Sequence, residues 1–227
     1  MLFCTDKKSE KLIYTDFVRD LRYDESCPSI YYPKEYDGQE VCKFCCTQHT
    51  MVSDYKQKKI TEEWVDFLTG NKLPLQEVQF CTKTPEKIFK AICTQESIES
   101  LRFKWLGCKD INDIANLKNL KSLFIECGSS IEDLSPIAEL ENLEVLILGS
   151  TVKITDYTPL GKLKNLKVLG ICSYQTRDDV LTMSSDEFIK DLTGLEYLEL
   201  SDVKIHKRTF LMPENVGHLK YCRFRTY

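Results

Sequence analysis

A short cysteine-rich segment carries the chemistry most easily read from this sequence. Cys42, Cys45, Cys46 and His49 follow the spacing Cys-x-x-Cys-Cys-x-x-His, and Cys27 precedes them. Tetrahedral zinc takes thiolate and imidazole ligands at such intervals, and a small turn-rich region gains stability from the bound ion. The spacing therefore predicts a structural zinc site with these five residues as candidate ligands. Free buried thiols and a disulfide are the alternatives.

The same segment could in principle supply a catalytic Cys-His pair. No Asn or Asp that would orient the histidine, and no nucleophile elbow, accompanies it in the sequence. The chain also has no Gly-rich phosphate loop, no paired-carboxylate signature and no Gly-x-Ser-x-Gly. We therefore expect a non-enzymatic protein. A metal- or thiol-dependent enzyme centred on residues 42–49 is the alternative.

Composition is that of an ordinary globular chain, with 227 residues of which 42% are apolar and 29% charged. The net charge of -4 argues against nucleic acid or an anionic membrane as the main partner. No apolar run approaches the roughly 18 residues that span a bilayer. The eleven cysteines, with no secretion signal at the N-terminus, indicate free thiols in a reducing compartment. We therefore expect a cytoplasmic location.

An internal repeat organises the chain from residue 75 onward. The segments 117–126, 140–149, 163–172 and 192–201 each read Leu-x-x-Leu-x-x-Leu-x-apolar, and weaker copies extend the series in both directions. About seven units result, and their first apolar strand positions are Leu75, Ile98, Leu120, Leu143, Leu166, Leu195 and Leu219. The short apolar runs predict one strand in each unit.

The other half of each unit has a period of three residues. Ile131, Leu134, Ile137 and Leu140 show this period, which suits 3₁₀ or irregular helical turns with one edge packed inward. The sequences DLSP and DYTP occupy the same place in two units and favour a turn before the helical segment. Each unit is thus predicted as strand, turn and short helical segment.

These motifs resemble the leucine-rich-repeat family, most closely its internalin-like form with 22–23-residue repeats. The resemblance covers residues 75–227 and implies an α/β solenoid with a curved parallel sheet on the concave side and 3₁₀ segments on the convex side. It also implies protein recognition as the general function. The family's Asn or Cys after the strand is absent, because Lys83, Leu106, Gly128, Thr151, Tyr174 and Val203 occupy that column.

Residues 1–74 do not fit the repeat and were not matched to any family. A solenoid whose first unit is uncovered exposes an apolar flank, so this region is predicted to be an N-terminal cap containing an α-helix. The sequence TEEWVDFLTGN at 61–71 predicts that helix, with Thr61 as N-cap and Gly70 at its end. The fifth unit carries an insertion at 173–188, which we expect to be a surface loop. This loop either lies on the binding side or has no functional role.

Alternation along the strands separates two sets of side chains. With the first, fourth and sixth positions in the core, the third and fifth point to the concave surface. These columns hold a contiguous apolar patch beside aromatic and basic residues, and such a patch marks an interaction site. The predicted protein-binding residues are Phe124, Val145, Ile147, Val168, Tyr197, Tyr221 and Arg223. The alternative is that the chain covers its own patch, with the insertion or with a second copy in a homodimer.

The predicted function is therefore that of a protein-binding module without enzymatic activity. It would act on a partner protein as an inhibitor, as an immunity protein against a toxin, or as an adaptor. A self-assembling structural protein is a further alternative.

Overall fold

The computed structural model describes residues 20–173, 180–210 and 213–226. Within these residues ten strands form one sheet in which every pairing is parallel. The strands are β1 (Ser29–Ile30), β2 (Val41–Phe44), β3 (Glu77–Pro85), β4 (Ser100–Gly107), β5 (Ser122–Ile125), β6 (Val145–Gly149), β7 (Val168–Cys172), β8 (Leu181–Ser185), β9 (Tyr197–Lys207) and β10 (Tyr221–Thr226). Their order is β1-β2-β3-β4-β5-β6-β7-β9-β10, and β8 pairs with β9.

The predicted strand register is confirmed at the centre of the sheet. Leu143, Leu146 and Leu148 are fully buried in the main core. Leu146 pairs with Leu123 of β5 and Leu169 of β7, so the same column is apolar in successive strands. We call this side of the sheet the core face and the other side the opposite face.

Short 3₁₀ segments cover the core face, as the three-residue period predicts. They span Asn112–Asn116, Ile137–Glu139, Thr158–Lys162 and Glu187–Asp191. The DLSP turn is closed by Asp133, whose Oδ1 accepts hydrogen bonds from the backbone N–H and the hydroxyl of Ser135 at 2.9 and 2.8 Å. Such Asx turns fix the chain direction between strand and helical segment. Repetition of parallel strand, turn and 3₁₀ segment makes the fold an α/β leucine-rich-repeat solenoid.

The parallel sheet begins earlier than residue 75. Strands β1 and β2 lie within residues 1–74, and β2 pairs with β3 in the same parallel manner as the later strands. The sequence of β2 hides this, because Val41–Phe44 lacks the leucine spacing of the later units although Cys42 and Phe44 face the core. A division between a cap at 1–74 and a solenoid at 75–227 stays a prediction.

Helix α1 spans Asp54–Gly70, so the predicted N-cap at Thr61 is eight residues too late, while the predicted end at Gly70 is correct. Ser53 is the N-cap, and its hydroxyl accepts the backbone N–H of Lys56 at 3.4 Å. Ile60, Trp64 and Leu68 recur every four residues and are buried against the sheet. The early turns carry polar residues on all sides, so the apolar period begins only at Ile60. Two shorter helices are α2 (Glu86–Ile92) and α3 (Pro213–Val216).

Part of the 173–188 insertion is ordered secondary structure, which corrects the expectation of a loop. Residues 174–179 lie outside the described part of the chain. Leu181 and Met183 are fully buried, and β8 pairs with the second half of β9, where Leu181 aligns with Val203. The period of two in this short stretch is the physical reason for the strand. None of the helices in the described residues has the length and apolar character needed to cross a membrane.

Candidate functional site

The predicted binding residues do lie together on the opposite face. One row across the sheet runs Val145, Val168, Tyr197 and Tyr221, and the next runs Phe124, Ile147, Gly170, Glu199 and Arg223. Phe124, Val145, Ile147, Val168 and Cys172 form an apolar cluster that is separate from the main core, with Tyr197 packed against it. We call this cluster the opposite-face patch. Its contiguity follows from parallel register, as the sequence predicted.

The patch is buried, however, which corrects the expectation of an exposed surface. Ile147 is 0% exposed and Val168 1%, while Phe124 and Val145 keep only a few per cent of their surface. Tyr221 is also buried, and Tyr197 and Arg223 are half-buried. Alternation along a strand tells which face a side chain lies on, but it carries no information about what covers that face. The alternative expectation, a patch covered within the chain itself, agrees with the burial.

Residues 20–22 cross the opposite face next to this patch. The backbone N–H of Leu21 donates to Gln79 Oε1 at 2.6 Å, and Gln79 Nε2 donates to Asp20 Oδ1 at 2.9 Å. Arg22 binds Asp20 at 2.6 Å and Glu126 at 2.7 Å. These contacts hold a segment from the start of the described chain against Gln79 of β3 and against Glu126, which directly follows β5.

Arg102 completes this ion-pair network. Its Nη2 lies 2.8 Å from Glu126 Oε1 and 3.2 Å from Asp20 Oδ2. Burial disfavours the ionised Asp20, but hydrogen bonds from Arg22 and Gln79 and the charge of Arg102 outweigh it and lower its pKa to about 2. The hydrogen bond to Asp20 raises the pKa of Arg22. Asp20 and Arg22 therefore both stay charged at neutral pH.

The structure does not assemble the predicted zinc ligands. In the described residues no group of three or more His, Cys, Asp or Glu side chains is placed to hold a metal ion. Cys42 and Cys46 belong to the main core, where burial raises the pKa of both thiols, whereas Cys45 lies outside it. Cys27 Sγ is 3.8 Å from the carbonyl oxygen of Val41. Strand alternation at β2 separates thiols that are close in sequence.

The imidazole of His49 likewise makes its contacts within the protein. Its Nε2 lies 2.8 Å from the carbonyl oxygen of Cys45, and a carbonyl can only accept, so this nitrogen donates. The imidazole packs edge-on against Tyr31 and Tyr32, with ring centroids 6.0 and 5.2 Å apart. The imidazole thus fixes the loop that carries it.

An exposed aromatic surface lies at the first strands and was not predicted from sequence. Tyr31 is 48% exposed, Tyr55 80% and Met51 fully so. Two neighbouring depressions lie among them and share Tyr32, one of about 970 Å³ against helix α1 and one of about 410 Å³ beside residues 45–52. We call Tyr31, Tyr32, Met51 and Tyr55 the aromatic rim.

The loop that presents Met51 is held in place by hydrogen bonds. Gln48 and Met51 both have left-handed backbone, with φ of 60° and 59°. Gln48 Oε1 accepts the backbone N–H of Lys83 at 3.0 Å, and Gln57 joins the loop to helix α1 by accepting from His49 N at 3.1 Å. Left-handed backbone at non-glycine residues costs free energy and often marks functional loops. Here the left-handed backbone at Met51 directs a large apolar side chain outward into solvent.

The larger depression is basic. Among the described residues, Lys34, Lys56 and Lys59 line it together with a single carboxylate, that of Glu63. The ammonium of Lys34 lies 5.7 Å from the centroid of the Tyr32 ring. The described lining therefore carries more positive than negative charge.

Comparisons with known proteins find similarity at the level of fold. The sequence matches no family model and no curated protein. Solved structures that resemble it include the internalin InlF of Listeria monocytogenes, with 20% identity over 78% of this chain and 52% of that one and a TM-score of 0.44. Internalin C2 of the same organism is 21% identical over 73% and 74%, with a TM-score of 0.41. A leucine-rich-repeat protein of Leptospira interrogans is 12% identical over 85% and 62%, with a TM-score of 0.33.

This chain therefore spans about half the length of the first of these structures. The assignment of the leucine-rich-repeat solenoid follows from the repeat, the parallel sheet and the 3₁₀ segments described above.

Some of the residues that hold the solenoid were missed, although the sequence contains their signal. An asparagine precedes the first strand leucine in three successive units, and its side-chain N–H donates to a backbone carbonyl of the preceding unit. The pairs are Asn119 to Glu96, Asn142 to Lys118 and Asn165 to Glu141, at 2.9, 2.8 and 2.8 Å. This column satisfies one backbone carbonyl in the turn before each of these three strands.

Proposed function

We propose that this protein is a protein-binding repeat module that contacts its partner through the aromatic rim and the basic depression beside it. The observation that carries the proposal is Met51, a fully exposed apolar side chain on a loop fixed by hydrogen bonds. Ordered apolar side chains lose little conformational entropy on binding, so a pre-formed loop adds affinity. Tyrosine on either side supplies the residue type that is enriched at binding hot spots.

The partner that fits this surface is a protein segment with acidic and apolar side chains. Three lysines against one glutamate give the depression a positive balance, although the whole chain carries -4. Charge complementarity of this kind raises association rates and excludes basic partners. The repeat fold supports a binding role in general terms only, since fold alone does not give function. In this proposal the protein acts in the cytoplasm by binding its partner, as an inhibitor, an immunity protein or an adaptor.

Selection from a random peptide display library, followed by affinity measurement, tests this proposal. Enriched peptides should carry Asp or Glu beside an aromatic or aliphatic residue. Met51→Asp should abolish their binding, because the new carboxylate meets acidic peptides and removes the apolar anchor. Val152→Asp is the matched control, because Val152 is also an exposed apolar residue, at 41%, but lies in a distant repeat.

Charge reversal provides an independent arm. Lys59→Glu should lower the affinity for the acidic peptides about tenfold or more. The same variant should bind peptides in which Asp is replaced by Lys. Equal binding of the selected peptides to wild type, Met51→Asp and Lys59→Glu would place the contact elsewhere and overturn the proposal. Light scattering of the free protein tests the alternative that a second copy of the chain binds this surface.

A further inference from the structure

We propose that Cys45 and Cys81 form a reversible dithiol–disulfide site that exchanges with small-molecule disulfides. Cys45 follows β2 directly and Cys81 lies in β3. The last paired residues before them, Phe44 and Phe80, are register partners. The two cysteines therefore stand side by side on neighbouring parallel strands. This site is independent of the proposed binding function.

Their separation suits a disulfide. Neighbouring strands lie about 4.8 Å apart, and disulfide-bonded cysteines have Cα atoms about 4.4–6.8 Å apart. Phe44 and Phe80 both face the core, with ring centroids 5.6 Å apart, so the residues that follow them point to the opposite face together. The two thiols lie close enough to perturb each other electrostatically. Closing the bond thus requires no movement of the strands relative to each other.

The pair is also polarised, and Cys81 is partly exposed whereas Cys45 keeps only 8% of its surface. Both cysteines line the depression of about 410 Å³, together with Tyr31, Tyr32 and His49. The interaction with Cys81 lowers the pKa of Cys45, and Lys43 and Tyr31 lower it further against the opposing effects of burial and of Cys46. The same interaction and burial raise the pKa of Cys81. Cys45 is thereby suited to attack first, and Cys81 to follow.

Three other described cysteines, Cys93, Cys108 and Cys222, lack this combination. Burial raises the pKa of Cys93 and, to about 12, that of Cys108 and Cys222. All three are almost completely buried. Structural thiols in such surroundings are poor nucleophiles.

The exchange is balanced in two steps. The Cys45 thiolate attacks one sulfur of the small-molecule disulfide, whose S–S bond breaks, and the released thiolate takes a proton from water. Cys81 then loses its proton to water and attacks the Cys45 sulfur of the mixed disulfide, which expels the second small thiol. Two protein thiols are oxidised by two electrons, and one small disulfide is reduced to two thiols.

The new bond would close a chain segment that contains helix α1 and the loop carrying Met51. Cross-linking a segment of this length restricts the unfolded chain and raises thermal stability. The oxidised protein should therefore melt at a higher temperature than the reduced one, and a thiol reductant should reverse the difference.

Incubation of the full chain with oxidised glutathione, followed by acid quenching, alkylation and peptide mapping, tests the proposal. Wild type should yield a linked Cys45–Cys81 peptide and retain no glutathione at either position. Cys81→Ser should stop at the first step and keep one glutathione on Cys45, whereas Cys45→Ser should form neither product. Cys108→Ala, which removes a buried thiol away from the pair, should behave like wild type.

The wild-type map decides the outcome even if a variant fails to fold. A stable glutathione adduct on Cys45 without the linked peptide would show that the pair cannot close. Modification of Cys45 no faster than that of Cys108 or Cys222 would show that it is an ordinary buried thiol. Either result overturns the proposal. Failure of the aromatic rim to bind peptides would not affect the dithiol–disulfide proposal, because the chemical readout needs no partner.

Discussion

The guanidinium carbon of Arg102 lies 3.8 Å from the centroid of the Phe124 ring. The same guanidinium binds Glu126 at 2.8 Å and Asp20 at 3.2 Å. One side chain therefore connects the buried opposite-face patch with the ion-pair network that fixes residues 20–22. This connection fixes residues 20–22 on the face of the sheet that also carries the predicted docking residues.

Arg102→Ala tests how strongly this connection stabilises the fold. The substitution removes the stacking contact and leaves two half-buried carboxylates with Arg22 as their remaining cation. We expect a loss of about 3 kcal/mol in the free energy of unfolding, measured by urea denaturation. Lys220→Ala is the control, because its ion pair with Glu196 at 2.7 Å is exposed to solvent and its removal should leave stability almost unchanged. Similar losses for both variants would contradict a special role for Arg102.

Asp20 should make stability depend on pH in the acid range. Its pKa is lowered from 3.8 to about 2 in the folded protein, so the folded state favours the carboxylate more than the unfolded state does. The resulting stabilisation is complete above the unfolded pKa and is lost as the pH falls through about 2.

Urea denaturation of wild type and Asp20→Asn between pH 2 and 6 measures this effect. The variant should be less stable above about pH 4, by on the order of 2 kcal/mol, and the two curves should converge in strong acid. A constant difference at every pH would mean that Asp20 acts by packing or by neutral hydrogen bonds.

Ile147→Asp should unfold the protein or destabilise it severely. Ile147 is 0% exposed within the opposite-face patch, and an unpaired carboxylate there costs several kcal/mol. Ile147→Val, which keeps the apolar character, should cost only about 0.5–1.5 kcal/mol, and Leu146→Ala on the core face about 2–5 kcal/mol. Circular dichroism melts compare the three. A native-like melt for Ile147→Asp would show that this face is exposed in solution.

Asn142→Ala should reveal what the asparagine column contributes. Its side chain donates to the backbone carbonyl of Lys118 in the preceding unit at 2.8 Å. A loss of about 1 kcal/mol is expected, typical of one hydrogen bond. Asn165→Ala should cost about as much, because it makes the matching contact to Glu141. If both variants change the free energy of unfolding by less than about 0.5 kcal/mol, as at ordinary surface positions, water replaces the lost hydrogen bond.

The sequence by itself determined the repeating architecture. Leucine at fixed intervals identifies the core column wherever it occurs, since a strand with alternating sides and a 3₁₀ turn with a three-residue period each leave a local pattern. Leu146 and Leu148 were placed correctly for this reason, and so were the 3₁₀ segments around Ile137 and Leu160. Alternation also placed Val145 and Ile147 on the other face.

Only the tertiary structure decided what lies against that face and which distant residues meet. Ile147 is apolar because it is buried, and the contact of Asp20 with Arg102 joins residues that no local pattern relates. Cys42 and Cys45 share a sequence motif but lie in different surroundings, whereas Cys45 meets Cys81 of the next strand. Periodicity encodes the direction of a side chain relative to its own backbone, while burial and pairing depend on where the rest of the chain goes.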